Sequence, residues 1–392
     1  MTSTPRKIPA SFVRGGTSKG VILRREDLPV DQSLRDQMFL AILGSPDPYL
    51  RQIDGLGGAS SSTSKVAIIA PSTREDCDVD YLIGQVDVEH PIVDYSSNCG
   101  NLSSAVGPYA MRAGLVPPRE GTTEVRIWQE NTSRRIIAHV PTSGGLPLEE
   151  GGYQIDGVRG TGARIDLDFL DPAGSEFGRL LPTGNLIDVV DVPGLGKIET
   201  SVIDASMVMA FVRAEDVGLA GTELKAVIDA DTSVLARLEA VRGGVAVLLG
   251  LCSDPKDAAL ISPALPKIAF VSEAQDHMVG GGKLISASQI DLVARGVSMG
   301  RLHHAYEVTG SIATAAAAVL PGTIVNKVSK LEPQSLQQVR IGHASGQIEV
   351  GIRRQDGAEP FIASATLSRT SRLIMDGFVY VPSINNYKRE EI

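Results

Sequence analysis

The feature that most constrains the fold of this chain occurs twice. Lys65-Val66-Ala67-Ile68-Ile69 in the first half is echoed by Lys267-Ile268-Ala269-Phe270-Val271 in the second. Each is a lysine opening a short apolar run rich in β-branched residues, the pattern of a buried strand. Downstream of each stands a glycine-containing helix start, Cys99-Gly100-Asn101 and Thr309-Gly310-Ser311, followed by a helix of small residues. The spacing from lysine to helix start is 34 residues in the first half and 42 in the second. A repeated strand-and-helix unit implies a duplicated domain. The length of 392 residues also favours two domains, because single cores seldom grow that large. Aromatic residues are only 4% of the chain whereas 41 residues are glycine, a balance suited to strands and tight turns.

The remaining elements follow from periodicity and punctuation. Residues 9–23 read as two strands about the turn Arg14-Gly15-Gly16-Thr17-Ser18-Lys19-Gly20. Residues 31–43 have helical spacing, with Leu34, Met38, Phe39 and Ile42 on one face and a stop at Gly44. A Gly/Ser loop over 55–65 runs into a strand at 66–69. Strands are expected at 79–88, 125–127 and 136–140, with a helix over 102–113 that ends at Gly114. Residues 144–182 read as long loops approaching a junction near 185. The second half is expected to hold strands at 186–190, 198–202, 207–212, 267–271, 339–341, 348–352 and 361–364. Its helices are expected at 224–241 and 309–319, and a short C-terminal tail closes the chain. The expected domains are 1–185, completed by a tail at 375–392, and 186–374.

Charge and cysteine usage narrow the function. The net charge of -9 argues against a basic nucleic-acid surface. An anionic ligand would be held by local devices, backbone N–H groups and a few placed cations, against the overall field. The three cysteines, Cys77, Cys99 and Cys252, are widely spaced and form no CxxC, which argues against a disulfide framework and a zinc site. No signal-peptide core or membrane-length apolar run is present. The expected location is the cytoplasm, without a membrane partner.

Four segments can carry chemistry. Asn98-Cys99-Gly100-Asn101 places a thiol at a helix start, where the local potential favours thiolate and lets sulfur act as acid or base. On pattern alone a buried structural cysteine is an equal reading. Lys65 follows a loop, Gly57 to Ser64, rich in donors suited to a carboxylate. Desolvation would make it a usable base, while a solvated strand-end lysine is the plainer alternative. The 14–20 turn lacks the spacing of a phosphate loop, leaving an anion-binding turn or an ordinary hairpin. Thr309-Gly310-Ser311 is a second helix-start cradle. His303 and His304, as strand neighbours, would point apart and form no metal site. No dinucleotide fingerprint or Ser/His/Asp order is found.

Taken together, RGGTSKG (14–20), QIDGLGGASSSTSKVAI (52–68), VDYSSNCGNLSSAVGPYA (93–110) and the stretch from MGRLHHA (299–305) to TGSIATAAAAVLPGT (309–323) resemble the 2-methylaconitate cis–trans isomerase (PrpF) family. That family includes 4-oxalomesaconate tautomerases and methylitaconate and aconitate Δ-isomerases, and the likeness runs through nearly the whole chain. It implies an α+β, diaminopimelate-epimerase-like fold. In that fold two pseudo-symmetric domains each wrap a curved sheet around a central helix, with the active site between them. It further implies catalytic roles for Lys65 and Ser18, the lysine of the TSK motif and the serine of the GGTSKG motif. Epimerases of this fold face the substrate with a cysteine from each domain. Cys99 matches the first, and no cysteine stands near Thr309-Gly310-Ser311 to match the second. Ser97 departs from the glycine many members carry before Asn-Cys.

Residues and resemblance lead to one expectation: a cofactor-independent isomerase that shifts a proton and a double bond in a small unsaturated polycarboxylate. Lys65 is the expected base, Cys99 the second acid or base, and Ser18 a catalytic partner. Thr17, Lys19, Ser64, Asn98, Gly100, Asn101, Thr309, Gly310 and Ser311 are the expected substrate contacts. No metal and no organic cofactor are expected, and a homodimer is the expected assembly. The competing expectations are an amino-acid epimerase or racemase of the same fold, and a non-catalytic carboxylate-binding protein.

Overall fold

A computed structural model of the chain describes residues 5–382, apart from Ser97, Met299, Pro333, Ser335 and 356–360. The chain divides into two compact units. One takes in Met1–Gln154, Gly160–Leu167 and Ser368–Ile392, the other Ile155–Arg159 and Asp168–Leu367. Compared with the division expected at 185 and 375, residues 155–159 and 168–185 go with the second unit and 368–374 with the first. The chain passes from one unit to the other within the strands Ile165–Leu170 and Phe361–Arg369.

In the first unit the main strands lie in the order Ser371–Val381, Arg6–Gly15, Ser18–Arg24, Lys65–Pro71, Val79–Val86, Gly121–Gln129 and Arg134–Ser143. Two neighbouring pairs are parallel: Ser18–Arg24 with Lys65–Pro71, and Val79–Val86 with Gly121–Gln129. A parallel pair needs a crossover. The helices Gln32–Leu43 and Gly100–Arg112 lie in those two crossovers.

The second unit repeats this order. Gly196–Asp204, Val208–Arg213, Lys267–Glu273, Leu292–Ser298, Leu336–His343 and Gly346–Gln355 are joined antiparallel, parallel, antiparallel, parallel and antiparallel. Helices again lie in the two parallel crossovers, among them Thr232–Leu248 and Val308–Ala318. The repetition reaches single hydrogen bonds. Arg126 clamps Asp78 with Nε at 3.2 Å and Nη2 at 2.6 Å, while its backbone N–H donates to the same carboxylate at 2.7 Å. In the second unit Arg340 clamps Asp291 in the same way, at 3.3, 2.6 and 2.7 Å. Each clamp ties the entrance of one strand of a parallel pair to its neighbour.

Helices Gly100–Arg112 and Val308–Ala318 are buried almost throughout: in the first only Tyr109 is half-buried and the last residue, Arg112, exposed, and in the second every residue is buried. A helix without a polar face must be enclosed. Its small residues let the sheet close on it; a methyl group at Gly107 would come within 2.7 Å of Val140.

Several expectations are corrected. The helix Gln32–Leu43 is capped by the Asp31 carboxylate and stopped by Gly44 in the left-handed region, but Leu34 is exposed while Met38, Phe39 and Ile42 are buried. The single helix expected over 224–241 is two, Lys225–Ala230 and Thr232–Leu248, because Asp231 ends the first and caps the second through the N–H groups of Ser233 and Val234. The expected C-terminal tail is an 11-residue strand, Ser371–Val381, antiparallel to Arg6–Gly15. Residues 383–392 of that tail lie outside the described residues. The region 144–182 contains the strand Ile165–Leu170. Among the described residues no helix is long and apolar enough to cross a membrane.

Candidate active site

In the first unit the 14–20 turn is wrapped over the start of the central helix. Gly16 has φ +51°, and a methyl group there would lie 2.2 Å from Oδ1 of Asn101. One at Gly15 would lie 2.7 Å from the Asn101 carbonyl oxygen. Glycine is therefore required at both positions, and at Gly16 the backbone conformation adds a second reason. The Thr17 amide donates to Asn101 Oδ1 at 3.2 Å and the Gly16 amide to the Thr370 carbonyl at 3.0 Å. Cys99 is the N-cap residue and Gly100 the first residue of the helix, both buried. Cys99 Sγ lies 3.8 Å from Ser18 Oγ. The Tyr81 hydroxyl donates to the Cys99 carbonyl at 3.5 Å. Burial, aided by the neighbouring Cys99, pushes the Tyr81 phenol well above its ordinary value and keeps it a neutral donor.

Two buried polar atoms here, Thr17 Oγ1 and Asn98 Oδ1, have no hydrogen-bond partner among the described residues. An unpaired buried polar atom costs roughly 1–3 kcal/mol, so the site is suited to a polar ligand that would satisfy them. Ser97, beside Asn98, lies outside the described residues.

Lys65 opens its strand and is 5% exposed. Its strand lies parallel to Ser18–Arg24 with Val66 opposite Val21, and Gly20 packs on Lys65 itself: a methyl group at Gly20 would touch Lys65 O at 2.6 Å. Side chains alternate along a strand, so Ser18 and Gly20 share one face and Lys65 lies on that face too. The missing side chain of Gly20 is the space Lys65 occupies. Lys65 Nζ donates to Gln85 Oε1 at 2.6 Å, from the residue directly across the antiparallel pair.

The other expected contacts of this unit are placed differently. Lys19 falls on the opposite face from Ser18, its ammonium 5.4 Å from the Phe12 ring, and its amide donates to the Ser62 carbonyl at 3.0 Å. The buried Ser64 hydroxyl donates to Gln52 Oε1 at 2.6 Å. Gln52 also receives the Ala59 amide and donates to Ser45, so Ser64 belongs to the bracing of the Gly/Ser loop.

In the second unit the start of helix Val308–Ala318 already carries a carboxylate. Glu307 is its N-cap residue and pairs with Lys267 at 2.6 Å, both side chains largely buried. A methyl group at Gly310 would lie 3.4 Å from Glu307 Oε2. Ser311 turns its hydroxyl back to the Val308 carbonyl at 2.7 Å, and Thr309 Oγ1 lies 3.8 Å from Met207 Sδ. The repeated lysine thus meets a neutral amide in one unit and a carboxylate in the other. His303 and His304 lie outside any strand with their rings stacked, centroids 5.3 Å apart, a correction to the expectation that they point apart. Among the described residues no group of three or more His, Cys, Asp or Glu could hold a metal ion.

Sequence reading missed Gln85, Tyr81, Glu307 and Arg369. The first three stand on strands or caps where their type carries no motif. Arg369 sits in a stretch without any chemical signature.

Comparison with known proteins places the chain in a family. The PrpF protein family matches residues 5–382. A 2-methyl-aconitate isomerase of Cupriavidus necator is 45% identical over 97% of this chain and 99% of its own length. The crystal structure of a methylitaconate-delta-isomerase superposes with a TM-score of 0.80 at 42% identity, covering 100% of this chain and 99% of the other. A hydroxyproline epimerase from Agrobacterium vitis is 13% identical with a TM-score of 0.57, covering 96% of this chain and 94% of the other, and shares the epimerase-type α+β fold. The same strand order found twice, the glycine turn wrapped on a helix start and the matches over nearly the full length agree: this chain belongs to the PrpF family.

Proposed function

We propose that this isomerase acts on an unsaturated di- or tricarboxylic acid, with 2-methylaconitate and methylitaconate the first substrates to test, and that it moves a proton along an allylic system. The observation that carries the reading is the meeting of Ser18 and Cys99 at 3.8 Å on the glycine turn, with the buried Lys65 on the same sheet face. The names of the similar proteins support the substrate class.

In the proposed reaction the neutral amine of Lys65 takes a proton from a carbon next to the C=C bond. The C–H electron pair moves into the allylic system and onto a carboxylate as a dienolate. Gln85 is a neutral hydrogen-bond partner of Lys65, whereas Lys267 pairs with the Glu307 carboxylate. Donors at the helix start stabilise the developing charge. The Cys99 thiol returns a proton to the far carbon, completing a 1,3-shift, and the ammonium of Lys65 then reprotonates the Cys99 thiolate. Return of the proton to the original carbon after bond rotation gives cis–trans isomerisation instead. Ser18 orients the substrate carboxylate and the thiol. No electron is gained or lost overall, so the chemistry requires no redox group.

Proton NMR of the purified protein in D₂O with a panel of these acids tests the reading. Conversion of one acid with deuterium entering the allylic carbon is the expected result. Folded protein that neither converts nor exchanges any of the panel would refute it.

A further inference from the structure

Arg369 lies at the end of the strand Phe361–Arg369 and is 7% exposed. Buried guanidinium groups are normally paired with carboxylates, because an uncompensated buried charge is costly. No carboxylate pairs with Arg369 among the described residues. Its Nη1 donates to the Ser368 carbonyl at 2.8 Å and its Nε to Asn101 Oδ1 at 3.3 Å. Burial lowers its pKa to about 10.

The second of these contacts has a consequence for the site. Asn101 Oδ1 faces two donors at once, the Thr17 amide at 3.2 Å and Arg369 Nε. Rotating the side-chain amide by 180° would set its own N–H bonds against both. The amide is therefore held with its oxygen toward Thr17 and Arg369 and its NH₂ away from them. That NH₂ has no hydrogen-bond partner among the described residues, although Asn101 is 4% exposed. An anion at this helix start needs donors, and the held orientation supplies two N–H bonds. Thr17 belongs to a turn that could shift with a flipped amide. Arg369 belongs to a paired strand, and the next residue, Thr370, also receives the Gly16 amide and Arg14 Nη1.

We propose that Arg369 is a positioning residue that fixes the Asn101 amide with its NH₂ group turned toward a carboxylate of the bound acid. The inference rests on the proposed substrate class. Arg369 need not touch the substrate; its effect passes through Asn101.

The test separates donor from charge. In Arg369→Gln the side-chain nitrogen stands the same number of bonds from the backbone as Arg Nε, so the donor is kept and the charge removed. Arg369→Lys keeps the charge and loses the donor at that position, and Arg369→Met loses both. Wild-type turnover of the unsaturated acid is measured first, and its absence would refute the proposed function itself. With wild type active, R369M and R369K should raise KM by roughly 10- to 100-fold, with kcat less affected, and R369Q should recover most of the loss. In an Asn101→Ala background the same R369M change should add less than a further twofold. Should R369M fail to fold, R369Q against R369K makes the same comparison. R369Q as impaired as R369K while folded, or losses that multiply fully in the double variant, would overturn the proposal.

Discussion

Replacing Gly16 by alanine tests whether the turn and the helix start form one fitted unit. Two costs follow from the geometry. The backbone at Gly16 has φ +51°, a left-handed conformation that costs a non-glycine residue about 1 kcal/mol. The new methyl group would stand 2.2 Å from Asn101 Oδ1 and 2.9 Å from its Cγ, so Asn101 must rotate away. Rotation breaks the bond from Thr17, worth about 1 kcal/mol, and the charge-assisted bond from Arg369, worth about 1.5–3 kcal/mol. The total is about 3–5 kcal/mol. Gly114→Ala is the internal control: Gly114 has φ +70° but a methyl group there meets nothing within 4 Å, so only the backbone cost of about 1 kcal/mol applies. Urea unfolding of both variants isolates the clash as their difference, expected at about 2–4 kcal/mol, and Gly16→Ala should also lose substrate binding. Equal destabilisation of the two variants would refute the fit of the turn on Asn101.

Three further outcomes are expected. Lys65→Ala should lower kcat by about 10³-fold or more and Cys99→Ser by less, because in the proposed mechanism removing the base closes the carbanion route; near-native turnover of a folded Lys65→Ala would show that the base lies elsewhere. Glu307→Gln should destabilise the protein by about 3–5 kcal/mol, since it leaves the Lys267 ammonium buried without its counter-charge, whereas the double change Lys267→Met with Glu307→Leu should cost less; equilibrium unfolding decides. His277 is buried, and burial, opposed by its bond to the Gln275 carbonyl and reinforced by Arg295, lowers its pKa from 6.5. A histidine held neutral in the fold contributes stability fully above pH 6.5 and loses it as the pH falls from there through the folded value, so His277→Gln should flatten the acid side of the stability profile; an unchanged slope below pH 6.5 would remove His277 from the account.

The duplicated strand-and-helix pattern was legible because a buried strand and a buried helix both have periodic, local signatures. Lys65-Val66-Ala67-Ile68-Ile69 and Lys267-Ile268-Ala269-Phe270-Val271 begin matching strands because both runs are buried in the same topological place. Leu34 misled the reading because an apolar residue in the first turn of a helix can lie beyond the edge of the core it points along. The strand Ser371–Val381 was invisible because it needs Arg6–Gly15 as partner, more than 350 residues away in sequence. Strands far apart in sequence carry no local mark of their pairing.

The sequence by itself determined the repeated architecture and the glycine turn, since each is written in contiguous residues whose chemistry is local, and it named Ser18, Lys65 and Cys99 as candidates without bringing them together. Only the tertiary structure decided what those residues meet. It put Gln85 opposite Lys65 and Glu307 beside Lys267, so two lysines in matching places have different hydrogen-bond partners. It set Ser64 against Gln52 and Lys19 near the Phe12 ring. It brought Arg369 from the far end of the chain to Asn101, 268 residues earlier. Hydrogen bonds and charge act over a few ångströms of space, and residues that distant in sequence become neighbours only when the sheets close around their helices.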